Sequence, residues 1–308
     1  MTRVATYGNY QSALLDLMAA QTRAAEAQER VSTQKNATDL VGFGRQSETL
    51  TALKAAQSRI QGFMDTADAV SARLTTQDIA LNQVVDGIAG IRSSIGNSLA
   101  SDSAGSLMLE LEGMFQSVRG GLNMRHQGGY LFSGAKTNVP PLDITNLSEL
   151  EAAPDVASIF RNDTLKTASR VAEGTTLQTG FLADDVGTEV MEILRDIQIY
   201  HTGANGPLTG KLTETQKTFL TAQLSRLDQA STGAIDKTAT TGALAKQVEN
   251  LTTSHQAQMG SLDELVSNRT DADMAKAVTD LQLSQVAIQA SAQVINQLRQ
   301  VSLLNFLT

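Results

Sequence analysis

The sequence predicts a mainly α fold with a small β-containing insert, in which the amino- and carboxyl-terminal arms pair as an elongated antiparallel helical, coiled-coil rod. Three observations point there. Proline is confined to Pro140, Pro141, Pro154 and Pro207, so nothing interrupts helix over the first 139 or the last 101 residues. Apolar residues recur at a 3.5-residue spacing in two stretches far apart in the chain. Of the 308 residues 39 are Ala, 8 are Phe, 4 are Tyr and none is Trp, so bulky groups are too few to fill a compact core and many thin helix contacts must replace them.

From the amino terminus, Tyr10, Leu14, Leu17, Gln21, Ala24, Gln28 and Val31 step by four and three residues, which predicts a first helix. Residues 4–22 hold a single charge, Asp16. The opening MTRVATYGNYQSALLDLM has no uninterrupted apolar stretch of the kind a cleavable secretory signal needs, and nowhere do roughly 18 apolar residues run together as a membrane span requires.

A second, long helix follows. Leu50, Leu53, Gln57, Ile60, Met64, Ala67, Ser71, Leu74, Asp78, Leu81, Val85, Ile88, Arg92, Ile95 and Leu99 alternate steps of three and four, and eleven of these fifteen are apolar. Kept over seven heptads, such a stripe faces one partner helix, and about 50 residues at about 1.5 Å each make a rod of about 75 Å. Phe63, Val70, Val84 and Ile91 form a second series beside it, so the apolar face is wider than a two-stranded seam needs. The expected partner is the stretch Leu244, Val248, Leu251, His255, Gln258, Leu262 and Leu265, preceded by Phe219, Leu220, Leu224 and Leu227. Within it Ser261 and Glu264 have capping-box spacing after Gly260, so a helix break there competes with one continuous helix.

Between these arms the composition changes. Gly128 to Gly134 reads as a turn into a short strand, Pro140-Pro141 blocks helix, and Leu165 to Phe181 mixes Thr, Val and Leu with Gly174 and Gly180. This block is expected to be a small, peripheral β-containing insert. Val190, Met191, Ile193, Leu194, Ile197 and Tyr200 then return to helical spacing.

The last helix is expected to open at a capping box, Thr270-Asp-Ala-Asp273, whose acids suit the positive end of a helix dipole. Residues 281–308 contain one charge, Arg299. On a helical wheel Leu281, Ile288 and Ile295 fall together, while Leu283, Val286, Ala290, Val294 and Val301 cluster on roughly the opposite side. Gln282, Gln285, Gln289, Gln293, Asn296 and Gln300 lie between the two stripes. Two apolar stripes separated by neutral amides suit burial on more than one side by other chains, because amides lose less on desolvation than charges do. The alternative is an ordinary core helix of a monomeric bundle.

Chemistry is sparse. With 24 basic against 32 acidic residues the formal charge is -8, and no basic run could neutralise a row of phosphates, so nucleic acid is not an expected partner. The absence of Cys excludes disulfides and thiolate metal sites. His126, His201 and His255 are far apart, and none has metal-binding spacing. Gly42-Phe-Gly44 begins a GxG, but Ser47 stands where the phosphate-binding fingerprint needs its third glycine, so it reads as a turn. Asp184-Asp185 falls in an expected loop, and the pair Asp271 and Asp273 is better explained by helix capping than by cation binding. No GxSxG, HExxH or Walker A motif occurs, so neither catalysis nor a cofactor is expected.

Four stretches together resemble the flagellin superfamily, and within it the hook-filament junction proteins. They are Leu14-Leu-Asp-Leu-Met18 through Gln21 to Arg30-Val-Ser-Thr33, then Gly129-Tyr-Leu-Phe-Ser-Gly134, then Arg170-Val-Ala-Glu-Gly174 to Gly180 as a hairpin, and last Asp271-Ala-Asp-Met-Ala275 with Leu281, Gln285, Gln289-Ala-Ser291 and Ser302-Leu-Leu-Asn-Phe-Leu307. The resemblance covers roughly two thirds of the chain. It departs after Thr33, where the family's Gly-Lys-Arg run is replaced by Gln34-Lys-Asn-Ala-Thr38.

The resemblance implies a structural subunit of the bacterial flagellum that joins hook to filament, exported unfolded through the flagellar type III apparatus and found outside the cell. It implies self-association in a ring or filament-like assembly, neighbours among hook or hook-associated proteins and flagellin, and an export chaperone on the carboxyl-terminal segment. Residues 1–38 plus 272–308 would form the inner assembly core, 39–138 plus 203–271 a helical rod domain, and 139–202 a small outer domain. The assembly interface would rest on Leu14, Leu17, Met18, Leu281, Ile288, Val294, Ile295, Leu298, Val301, Leu304 and Phe306. Flagellin itself is the nearest alternative, and a coiled-coil signalling adaptor an alternative of another class.

Overall fold

The computed structural model describes residues 2–307, and the side chains of residues 8–299. Among the described residues the chain forms seven α-helices and two small antiparallel hairpins. The helices are α1 (Thr2–Thr33), α2 (Ser47–Ala100), α3 (Leu107–Leu122), α4 (Leu147–Ala152), α5 (Ala183–Thr202), α6 (Glu214–Thr270) and α7 (Met274–Leu307). The strands are β1 (Arg125–His126), β2 (Gly129–Tyr130), β3 (Ala168–Ala172) and β4 (Thr175–Gln178), paired β1 with β2 and β3 with β4. The mainly α class with a small β insert is therefore the fold observed. No helix among the described residues is long and apolar enough to cross a membrane.

The chain divides into two compact units, residues 1–59 with 258–308 and residues 60–257, and α2 and α6 contribute to both. In the second unit the main core gathers residues from α2, α3, α5 and α6 with the loops between them, including Leu81, Ile88, Phe115, Phe132, Val190, Ile193 and Leu227. Close approach of α3 to α2 needs glycine. A Cβ on Gly121 would lie 2.8 Å from the Ala80 carbonyl oxygen, and one on Gly87 would lie 2.5 Å from a Val118 methyl. A smaller cluster joins Ala67, Val70, Leu74 and Val248 to Val171 and Leu177 of the β3–β4 hairpin, which turns at Gly174 with φ +76°.

Several expectations change in detail. The expected peripheral insert is not peripheral, because Leu142, Leu147, Leu150, Val190 and Leu194 lie in the same core as Leu81 and Ile91. Only Gly129–Tyr130 of the 128–134 stretch is strand, and the following Leu131 and Phe132 are buried in a turn. The long first arm ends at Ala100, where Asp102 takes φ +54°, a left-handed conformation that stops α2. The arm from Glu214 to Thr270 is one continuous helix through Gly260.

The heptad register also differs. In α2 the buried positions are Ala67, Leu74, Leu81, Ile88 and Ile95 alternating with Val70, Gln77, Val84, Ile91 and Ser98, whereas Ser71, Asp78, Val85, Arg92 and Leu99 are half-buried or exposed. The first series of the sequence pattern thus supplies half the seam and the second series the other half. Charged Asp78 and Arg92 stay toward water for the ordinary reason that burying them unpaired is costly.

Candidate assembly interface

The first unit is built around α1 and α7, which run antiparallel, as two ion pairs show. Arg30 meets Asp280 at 3.7 Å, and Lys35, beyond the end of α1, meets Asp271 before the start of α7. The turn between α6 and α7 is tied to the loop after α1 by backbone bonds, Asn36 N to Thr270 O at 2.7 Å and Ala272 N to Gln34 O at 2.9 Å. Asp271 also accepts from the Ser267 and Thr270 hydroxyls. The bond from Lys35, followed by those from Ser267 and Thr270, holds its carboxyl at about 2, below the usual carboxylate range.

The expected capping box at Thr270 is not formed, since Thr270 is the last residue of α6. Asp273 caps α7 instead, its Oδ1 accepting from Lys276 N at 3.1 Å and its carbonyl from Ala277 N at 2.8 Å.

The seam between α1 and α7 is narrow in side-chain size. On α1 its buried positions are Ala13, Ala20 and Ala27, with Leu17, Ala24 and Val31 half-buried between them. On α7 they are Ala277 and Ser284, with Leu281, Ile288, Ser291, Ile295 and Leu298 half-buried. Small residues every seventh position let the two backbones approach, and the larger Leu and Ile fill the space left between them.

That arrangement leaves other apolar side chains facing out. Leu15, Leu283 and Val286 are 65%, 64% and 62% exposed, and Leu14, Met18, Val278 and Val294 are exposed as well. Around those on α7 stand Gln282, Gln285, Gln289 and Gln293, all exposed and all uncharged. A helix pair stable only as a monomer would place charge on such a face. Exposed Leu, Val and Met on the outer sides of both helices, with neutral amides beside those on α7, suit a surface that another molecule buries.

The eleven residues assigned to the interface therefore separate into groups. Leu17, Leu281, Ile288, Ile295 and Leu298 lie in the seam within the chain, Leu14, Met18 and Val294 are exposed, and the side chains of Val301, Leu304 and Phe306 lie outside those described. Leu15, Leu283 and Val286 are exposed more than any of the eleven whose side chains are described, yet were not among them. Their signal was legible: reading Ala13, Ala20 and Ala27 as the inner face places Leu14, Leu15 and Met18 outside.

The histidines and acids that might suggest chemistry are engaged in structure. His255 stacks on Phe63 at 5.8 Å and donates from Nε2 to the Val171 carbonyl at 2.8 Å. His126 shares a 2.9 Å bond with the Thr76 hydroxyl, and His201 Nδ1 accepts from Leu208 N at 3.2 Å. Asp184 accepts from Asn162, and Asp185 pairs with Lys166 at 2.7 Å. Gly42 N donates to Asp39 Oδ1 at 2.8 Å, which makes the Gly42–Gly44 segment a turn. Among the described residues no group of three or more acidic or histidine side chains is placed to hold a metal ion.

Residues 224–307 match the family described as the bacterial flagellin C-terminal helical region. Three solved structures share the fold, each 15% identical in sequence. One is a protein from Vibrio parahaemolyticus described as a flagellar hook-associated protein, covering 73% of this chain and 97% of its own with a TM-score of 0.59. The others are FlgL from Bacillus cereus, with a TM-score of 0.53, and FlgL from Xanthomonas campestris, with 0.55, each covering 70% of this chain and 98% of its own. No curated protein matches by sequence. The resemblance to the flagellin superfamily agrees with the family match over residues 224–307, and the fold is shared with the hook-associated proteins named above.

Proposed function

We propose that the chain is a structural subunit of the bacterial flagellum, seated between hook and filament, which acts by packing its terminal helices against neighbours and catalyses nothing. The observation that carries this reading is the set of apolar side chains left exposed on both α1 and α7, Leu15, Leu283 and Val286 most of all, with amides rather than charges beside those on α7. The family match over residues 224–307 and the shared fold of the hook-associated proteins support it.

In this reading Leu14, Met18 and Val294 meet neighbouring subunits directly. Leu17, Leu281, Ile288, Ile295 and Leu298 close the helix pair that presents them, and Val301, Leu304 and Phe306, whose side chains lie outside those described, belong to the same proposed interface. Residues 1–38 plus 272–308 form the inner assembly core and 39–138 plus 203–271 the rod domain, with 139–202 packed into the same core as the rod rather than standing outside it. The partners are further copies of the chain in a ring, hook or hook-associated protein on one side and flagellin on the other. Before assembly an export chaperone holds the carboxyl-terminal segment, and the chain leaves the cell through the flagellar export apparatus.

The test is to mix purified protein with fragmented flagellar filaments and follow growth by electron microscopy. A junction subunit binds an end and stops. Long filaments made of this chain alone would establish the flagellin alternative in its place.

A further inference from the structure

Within residues 60–257 the α2–α6 seam carries buried Ser98 and His255 at its two ends, apolar layers inside them and a paired polar layer in the middle. Leu81, Val84, Ile88 and Ile91 meet Leu220, Leu227, Ala230 and Ala234 in the larger cluster, and Ala67, Val70 and Leu74 meet Val248 in the smaller. Between them Gln77 and Thr241 are 0% and 1% exposed. The Gln77 amide donates to Thr241 Oγ1 at 3.0 Å, and the Thr241 hydroxyl donates to the Lys237 carbonyl at 3.0 Å. Gln77 Oε1 is buried with no hydrogen-bond partner.

Leucine and valine in these two places would join the clusters into one continuous core. The polar pair interrupts it and leaves an acceptor unmade, so it costs stability. What it contributes is register. Val70, Val84 and Ile91 on one helix and Leu220, Leu227, Ala234 and Val248 on the other fall on seven-residue repeats, and apolar layers of this kind still meet apolar layers after a slip of one heptad. Gln77 and Thr241 occupy the same repeats in the middle of the seam, as Ser98 and His255 do at its ends, and break that equivalence. A slip one way sets Gln77 against Val248 and Thr241 against Val84; a slip the other way sets Gln77 against Ala234 and Thr241 against Val70. Either leaves the amide group with no partner among apolar side chains.

We propose that the Gln77–Thr241 pair is a register lock, which prevents α2 and α6 from sliding past each other by a heptad. The lock is independent of the flagellar reading. It accounts for a polar layer in a seam that has no other use for one.

The chain has no Cys, so introduced pairs report only on themselves. Arg92 and Asp228 form an exposed ion pair across the seam at 2.7 Å, and Arg92→Cys with Asp228→Cys reads the native register. Arg92→Cys with Ile235→Cys, or with Thr221→Cys, reads the two slipped ones. Disulfide yields after equilibration in a thiol-disulfide buffer are compared with and without Gln77→Leu/Thr241→Val. The expected result is native-pair cross-linking alone in the parent, and slipped-pair yields about tenfold higher or more in the apolar double variant, whose melting temperature does not fall. Gln77→Leu alone moves the yields in the same direction, while Thr241→Val alone, which leaves the amide unpaired, is less stable than the double variant. Slipped-pair yields no higher than the parent's overturn the lock, and so does a double variant less stable than both singles.

Discussion

The core of residues 60–257 and the α1–α7 pair are both made of long helices, yet they use side-chain size in opposite ways. The first buries Phe115, Phe132, Leu107 and Leu111 completely and turns its small residues, such as Gly87 and Gly121, to close helix contacts. The second buries Ala13, Ala20 and Ala27 and leaves Leu15, Leu283 and Val286 outside. A chain short of bulky groups has invested them where one molecule must hold itself together. In its terminal helices the fully buried positions go to Ala, and several larger side chains stand outside.

The largest expected effect is therefore a core truncation. Phe115→Ala should lower stability by about 3–5 kcal/mol, measured by urea denaturation of the isolated protein, because the removed ring leaves a cavity among α2 and α3 residues. Leu283→Ala in the same assay should change stability by no more than about 0.5 kcal/mol. A comparable loss at both positions would erase the contrast between the two regions.

Next in size is overpacking. Ala20 is 3% exposed on the inner face of α1, and Ala20→Leu should cost about 1–3 kcal/mol of local stability, read as faster amide exchange in α1 and α7. Gly121→Ala should act similarly in the other region, because its Cβ would meet the Ala80 carbonyl oxygen at 2.8 Å. Backbone cannot retreat as a flexible side chain can.

The smallest effect is electrostatic. Asp271 titrates at about 2 in the folded chain and near 3.9 in an unfolded one, so its folded pKa is depressed. Its contribution to stability is complete above about pH 4 and is lost as pH falls through about 2. Thermal melts between those values should show a decline that Asp271→Asn makes shallower, the remainder belonging to Asp102, Glu110, Glu149 and Asp163, which hydrogen bonds also hold low; an unchanged slope in the variant would show that those carboxylates carry all of it.

How much of this was legible follows from how a heptad is read. The positions seven apart, Ala67, Leu74, Leu81, Ile88 and Ile95, are recoverable from apolar spacing alone. Each has two candidate companions, three residues on or four residues on, and periodicity does not choose between them. The four-step choice gave Ser71, Asp78, Val85, Arg92 and Leu99; the folded chain uses Val70, Gln77, Val84, Ile91 and Ser98. The two charges in the first set were the available signal. In α1 the same ambiguity favoured Leu14, Gln21 and Gln28 over Ala13, Ala20 and Ala27, because a leucine weighs more than an alanine in any count of apolar residues.

The candidate interface inherited that choice. Leu281, Ile288 and Ile295 form the stripe that the helical wheel gives, but that stripe faces α1, and Leu298 joins it there. Substituting Asp at Ile288 and Ile295 would therefore break the helix pair itself. The insert was misjudged for a different reason: Leu142, Leu147 and Leu150 lie in a stretch without periodicity, and only the fold brings them to the core.

Leu283→Asp/Val286→Asp tests the exposed face most directly, since both side chains already stand in water in the isolated chain. The variant and the parent are compared for binding to purified hook and filament fragments by co-sedimentation, with melting temperatures recorded alongside. The expected result is an unchanged melting temperature with binding lost. Binding equal to the parent's would contradict the assignment of this face to assembly.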